Sequence, residues 1–133
     1  MKNLLLFIFT ITLIGCVQAP ESKNEAKDKS FIVVTLKISE GNQQTVFDLL
    51  ESEMGLPTTK AYDGCITLET TYNPSSNTLV IIEEWETYEK YGTYLKWREE
   101  EDDSKALASL LDLLEGGIDG FTVYTDNKQY KSY

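Results

Sequence analysis

Leu79-Val80-Ile81-Ile82-Glu83-Glu84-Trp85 runs four large apolar residues into two acids and a tryptophan. In an extended strand successive side chains point to opposite faces, so Leu79 and Ile81 share one face and Val80 and Ile82 the other. A strand that is apolar on both faces needs cover on both. Helices supply one cover. In a chain of 133 residues the other is a ligand or a second copy of the same sheet.

Working outward, residues 65–72 alternate, with Ile66, Leu68, Thr70 and Tyr72 on one face. The turn cluster Asn73-Pro74-Ser75-Ser76-Asn77 joins them to 79–85 as a hairpin. Upstream, residues 31–38 read as a first strand, β-branched and again apolar on both faces. Glu40-Gly41-Asn42 turns the chain, and Asn42 is the expected N-cap of a helix carrying Val46, Phe47, Leu49, Leu50 and Met54 at helical spacing. Gly55 and Pro57 stop that helix, and residues 58–64 read as a loop.

Downstream, Thr87 caps a helix over residues 88 to about 100, with Glu89 favourably placed in its first turn. Tyr88, Tyr91 and Leu95 form a stripe on it, and Tyr94 and Trp97 extend the stripe sideways. The acidic run 99–103 reads as a solvated break rather than a calcium loop, whose glycine and spacing it lacks. Ser104 or Asp103 caps a third helix with Leu107, Leu110, Leu111 and Leu114 in the i, i+3, i+4, i+7 pattern. Gly116-Gly117 ends it, and residues 120–125 make a last strand.

The order β-α-β-β-α-α-β predicts an α+β fold of the ferredoxin-like, split β-α-β type: one antiparallel sheet with helices on one face. The other sheet face then needs burial against a two-fold mate, since a monomer would expose an unusually large apolar patch.

Four segments are expected. Residues 1–15 have a basic start, an apolar run too short for the roughly 20 residues of a membrane span, and the ending Leu13-Ile14-Gly15-Cys16. This ending resembles a bacterial lipobox, which implies that Cys16 is lipidated and becomes the new N-terminus. Each buried methylene contributes about 0.8 kcal/mol, so two or three acyl chains anchor firmly. Val17 in place of an aspartate favours the outer membrane of the cell envelope. Residues 16–30 form the lipidated cysteine and a polar tether, residues 31–125 the folded domain, and residues 126–133 a polar tail.

The net charge is −10, and removal of residues 1–15 takes away Lys2 alone, leaving about −11. Phosphate backbones repel such a chain, which argues against nucleic-acid binding. The absence of histidine excludes a histidine base, a Ser-His-Asp triad and a histidine-held haem or zinc.

Two motifs carry a family resemblance. Asp63-Gly64-Cys65 is similar to a Pro-Gly-Cys start of the second strand, and Glu84-Trp85-Glu86-Thr87 to a Glu-x-Trp-x-Ser end of the third. With the element order, they make residues 31–125 resemble the antibiotic biosynthesis monooxygenase superfamily, the dimeric α/β-barrel group that includes quinol monooxygenases. The resemblance implies a homodimer and oxygenation of small aromatic or quinol compounds with no metal, flavin or other cofactor. In that chemistry the electron-rich substrate itself reduces dioxygen. Haem-degrading members use a histidine nine residues after the tryptophan; here Tyr94 stands there, which speaks against haem degradation. The first strand also lacks the asparagine that active branches often carry.

Trp85, by this resemblance, lies near the pocket mouth; as an ordinary aromatic it packs in the core with its indole N–H satisfied locally. Tyr94 is the second catalytic candidate, as a hydrogen-bond donor to a substrate oxygen, since a phenol of pKa about 10 is a poor base. Its plainer role is packing. Tyr72, Tyr91 and Cys65 are candidate pocket residues, and Cys65 has no histidine to activate it. Glu83 and Glu84 point to opposite faces and so form neither a carboxylate pair nor a metal site. A membrane-anchored oxygenase and a non-catalytic dimeric module that binds a small ligand or a partner are the two functional readings.

Overall fold

The stretch 79–85 lies in the middle of a four-stranded antiparallel sheet. The computed structural model describes residues 29–125. Its elements are β1 (Ser30–Lys37), α1 (Gln43–Glu51), α2 (Leu56–Ala61), β2 (Cys65–Asn73), β3 (Thr78–Trp85), α3 (Tyr88–Glu100), α4 (Ala106–Leu111), a 3-10 turn (Gly117–Gly120) and β4 (Phe121–Tyr124). The sheet order is β2-β3-β1-β4, with every pair antiparallel, as the ferredoxin-like α+β expectation requires. The segments expected to be a lipobox and most of a tether, and residues 126–133, lie outside the described residues.

Alternation sorts the two central strands by face. Ile32, Val34 and Leu36 of β1, and Leu79, Ile81 and Trp85 of β3, are buried and form the core with the helices. Their neighbours face the other way: Val33 pairs with Ile82 and Thr35 with Val80. Ile82 is 41% exposed, and Tyr124 at the edge is 57% exposed. The face away from the helices is therefore apolar at its centre, bordered on β2 by Thr67, Glu69 and Thr71, with Glu69 directly beside Ile82.

Three local expectations are corrected. First, α1 ends at Glu51, and residues 56–61 are helical rather than loop. Gly55 and Pro57 do stop one helix, but they also start the next. Pro57 sits in the first turn of α2, where its missing N–H costs nothing. Gly55 is required by close approach, since a Cβ there would collide with the carbonyls of Leu49 and Leu50. Second, Asn42 stands at the N-cap of α1 but its side chain donates to the Leu113 carbonyl instead of capping. Third, Lys105, in the left-handed region at φ 54°, occupies the N-cap of α4, and the Ser104 hydroxyl accepts from the Ala106 N–H.

The helix over 88–100 forms as expected, with the Thr87 hydroxyl accepting from the Lys90 N–H at 3.2 Å. Its buried stripe is Tyr91, Tyr94 and Arg98, while Tyr88 is 55% exposed. The acidic run is not wholly solvated: Asp102 is buried against Arg98. Among the described residues no helix is long and apolar enough to cross a membrane.

Candidate functional site

β3 places one acid inside. Its alternation puts Glu83 between Ile81 and Trp85 on the helix face, 4% exposed, and turns Glu84 to the other side. Trp85, two residues on and fully buried, donates from its indole Nε1 to Glu83 Oε2 at 2.7 Å. Among the described residues this is the single hydrogen bond to the carboxyl. Burial raises the Glu83 pKa above the ordinary carboxylate value, against the opposing pull of the Trp85 N–H and the Arg98 charge.

Glu83 lines a cavity of about 70 Å³ between sheet and helices. Val34, Ile81 and Phe121 floor it from the sheet; Tyr91, Tyr94, Leu95 and Arg98 come from α3; Leu50, Leu56, Thr59, Leu107 and Leu110 close it from the other helices. The lining is apolar but for one corner, where Glu83, the two phenols, Thr59 and Arg98 converge.

Arg98 builds that corner. All five of its N–H donors are engaged. Nε donates to the Tyr94 hydroxyl at 3.0 Å. One terminal nitrogen donates to Asp102 Oδ2 at 2.7 Å and to the Met54 carbonyl at 2.9 Å. The other donates to the Gly55 carbonyl at 2.8 Å and to Thr59 Oγ1 at 3.2 Å. Arg98 thereby pins the α1–α2 junction over the cavity. Asp102 is fixed in turn by the Ser104 N–H and hydroxyl. Burial opposes its ionisation, but the Ser104 bonds and Arg98 outweigh this and hold its pKa below the usual value.

The candidate residues separate into two groups. Tyr91 and Tyr94 line the cavity. The Tyr94 hydroxyl is committed to Thr59, 2.7 Å away, and to Arg98. The Tyr91 phenol takes no hydrogen bond among the described residues, and burial followed by the nearby Glu83 pushes its pKa above the ordinary tyrosine value. Trp85 packs behind Glu83, its ring centroid 5.1 Å from that of Tyr94, and reaches the cavity only through Glu83. Tyr72 and Cys65 lie away from this cavity. Tyr72 packs edge-on to Phe47 at 5.1 Å and donates to Asn77 Oδ1 at 2.6 Å. Cys65 is half-buried at the start of β2, its thiol pKa raised by burial.

Glu83, Arg98, Thr59 and Asp102 are absent from the candidate set read from sequence. The alternation that separates Glu83 from Glu84 also puts Glu83 on the inner face. Arg98 lies four residues after Tyr94 and seven after Tyr91, on one helical stripe. Thr59 and Asp102 carry no local signal. Among the described residues no three histidine, cysteine or acid side chains converge as metal ligands.

No family model matches the chain, and neither does any curated protein. Solved structures do share its fold. A conserved protein of Methanosarcina mazei superposes with a TM-score of 0.62 at 13% identity, over 81% of this chain and 96% of its own. A Mycobacterium tuberculosis protein does so at 0.61 and 15%, over 79% and 99%. A structure described as an antibiotic biosynthesis monooxygenase does so at 0.60 and 14%, over 74% and 96%. At these identities the likeness is one of fold.

Proposed function

We propose that the domain is a cofactor-independent oxygenase of small phenols and quinols, carried into the cell envelope by the lipid anchor expected at Cys16. The observation that supports it is Glu83, a buried carboxyl oriented by Trp85 into an apolar cavity. A general base works best when its pKa lies near the operating pH, and burial shifts Glu83 in that direction. A dihydroquinone in the cavity gives a phenolic proton to Glu83. The phenolate passes one electron to dioxygen, and the resulting semiquinone and superoxide combine as a ring peroxide. Glu83 returns the proton to the outer peroxide oxygen. The ring C–H proton leaves as the O–O bond breaks. Dihydroquinone and dioxygen thus become hydroxyquinone and water.

The cavity's size favours the second reading, a non-catalytic binding or interaction module. A benzene-sized guest occupies an apolar cavity of about 150 Å³, twice the space here, so a ring substrate requires the cavity to widen. Incubation of the full chain with a monocyclic dihydroquinone separates the two. The oxygenase gives hydroxyquinone with uptake of dioxygen above the buffer rate. Hydrogen peroxide at the buffer rate, with no hydroxyquinone, leaves the binding module.

In either reading we propose a second copy of the chain as cover for the open sheet face. Its support is the apolar centre formed by Val33, Val80 and Ile82, with exposed Tyr124 beside it. Analytical ultracentrifugation of the full chain in detergent should show a dimer, and Ile82→Glu should give a monomer. A monomeric wild type would overturn the pairing.

A further inference from the structure

Six oxidisable rings form one contiguous cluster. Trp85 is its inner end, fully buried. Its centroid lies 5.7 Å from that of Tyr91, which lies 6.3 Å from that of Tyr88. Tyr88, in the first turn of α3, is exposed. A second branch leaves Trp85 for Tyr94 at 5.1 Å and continues through Tyr62 to Trp97 at 5.2 and 5.3 Å, and it meets the first where Tyr91 and Tyr94 lie 6.3 Å apart.

Removal of an electron from an indole turns its N–H into a much stronger acid. The Trp85 N–H already donates to a carboxylate oxygen at 2.7 Å, so the proton has an acceptor in place. Arg98 chooses between the branches. Its guanidinium carbon stands 5.5 Å from the Tyr94 ring centroid and 5.1 Å from that of Trp97. That arrangement favours the neutral rings, and a fixed positive charge opposes a second one on either of them. Tyr91 instead lies in the field of Glu83 and Glu99. Its phenol has no hydrogen-bond partner among the described residues to take a proton and the residue is 3% exposed, so it serves as a bridge rather than a resting place. The Tyr88 phenol reaches water.

We propose that Trp85, Tyr91 and Tyr88 form a one-electron relay that carries an oxidising equivalent from the cavity to the surface, with Glu83 taking and returning the indole proton. A small alkylperoxyl radical in the cavity takes one electron from Trp85 and becomes its anion. Trp85 passes its Nε1 proton to the Glu83 carboxylate, leaving a neutral indolyl radical. An electron then arrives from Tyr88 through Tyr91, the proton returns from Glu83 to Nε1, and Tyr88 releases its phenolic proton to water. One oxidant is reduced by one electron and one surface tyrosyl radical remains, which a soluble hydrogen-atom donor of the ascorbate type clears. The relay does not depend on the oxygenation proposed above; it spares the interior from any radical formed there.

The chain has two tryptophans, so Trp97→Phe leaves Trp85 as its single indole. Flash excitation of this full-length variant at the red edge of indole absorption, with hexaamminecobalt(III) as irreversible electron acceptor, creates the vacancy at Trp85. The expected indolyl radical decays by a first-order process, independent of protein concentration, while a tyrosyl radical grows in. Adding Tyr88→Phe, an exposed change that leaves the fold intact, removes the tyrosyl signal; adding Tyr62→Phe leaves it. Adding Glu83→Gln holds the radical at Trp85 in its protonated, spectrally distinct form. An indolyl radical that decays only by second-order encounter, or an undiminished tyrosyl signal with Tyr88→Phe, overturns the relay.

Discussion

Arg98→Met is expected to lower the stability of the folded domain by about 3–5 kcal/mol, read as a fall in denaturation midpoint at unchanged slope. The size of the loss comes from what the guanidinium leaves behind. Asp102 loses its one ion-pair partner among the described residues while both side chains are about 95% removed from solvent. The Met54 carbonyl loses its donor, the Gly55 carbonyl keeps only the longer bonds from Thr59 at 3.3 Å, and Tyr94 and Thr59 are left with each other. Met fills similar volume, so the cost is that of unpaired polar groups rather than of a cavity. Two further measurements separate this from simple packing loss. Adding Asp102→Asn should restore part of the stability, since the stranded charge is gone. The pH dependence should also weaken. In the wild type the Asp102 pKa is depressed, so its contribution is present above the unfolded value and is lost as pH falls through the folded one. Without Arg98 only the Ser104 bonds oppose burial, so the depression shrinks and less stability is lost on acidification. A loss below about 1 kcal/mol would show that the Arg98 network does not hold the α1–α2 junction.

How far the chain was readable follows from the range of each interaction. β1 and β3 announce themselves because their pattern is local and both faces are apolar. The helix capped by Thr87 is legible to within a residue, since the cap, Glu89 and the aromatic stripe lie within one segment. α2 is illegible because Gly55 and Pro57 have a second role. Glycine there avoids a clash with two carbonyls, and proline begins a new first turn. Asp102 looks like its four exposed acidic neighbours until Arg98 is brought against it. Of the two phenols lining the cavity, Tyr91 lies on the stripe given by helical spacing, while Tyr94 is singled out by the family resemblance, at the position of the histidine. Tyr72 shares a sheet face with the cavity floor but lies at the far end of the hairpin, opposite Leu79, where Phe47 and Asn77 engage it. Position along a strand, unlike the face, is not encoded in alternation. Glu83 lay between the two cases. Its face was evident, but its value as a buried acid depends on the lid that Arg98 fastens over it.

Glu83→Gln is expected to cut dihydroquinone oxygenation by about 10²–10⁴-fold, the usual contribution of a positioned acid or base, and at the same time to stabilise the fold above mildly acidic pH. The two effects share one cause. Glutamine keeps the shape, and its side-chain oxygen still accepts from the Trp85 N–H, so orientation survives while the exchangeable proton does not. The stability gain follows from the sign of the shift. Burial raises the folded-state pKa of Glu83 above its unfolded value. Its favourable contribution is therefore complete below the unfolded value and is lost as pH rises through the folded one. Glutamine never ionises and does not incur that loss. Denaturation midpoints of the two proteins should converge near about pH 4 and separate, with the variant higher, toward about pH 8. Parallel curves would mean that Glu83 is not desolvated in solution, and hydroxyquinone formed at the wild-type rate would remove it as the base. A higher midpoint with lost turnover would mark a carboxylate kept inside the fold at the expense of stability, as expected of a group held there for chemistry rather than for packing.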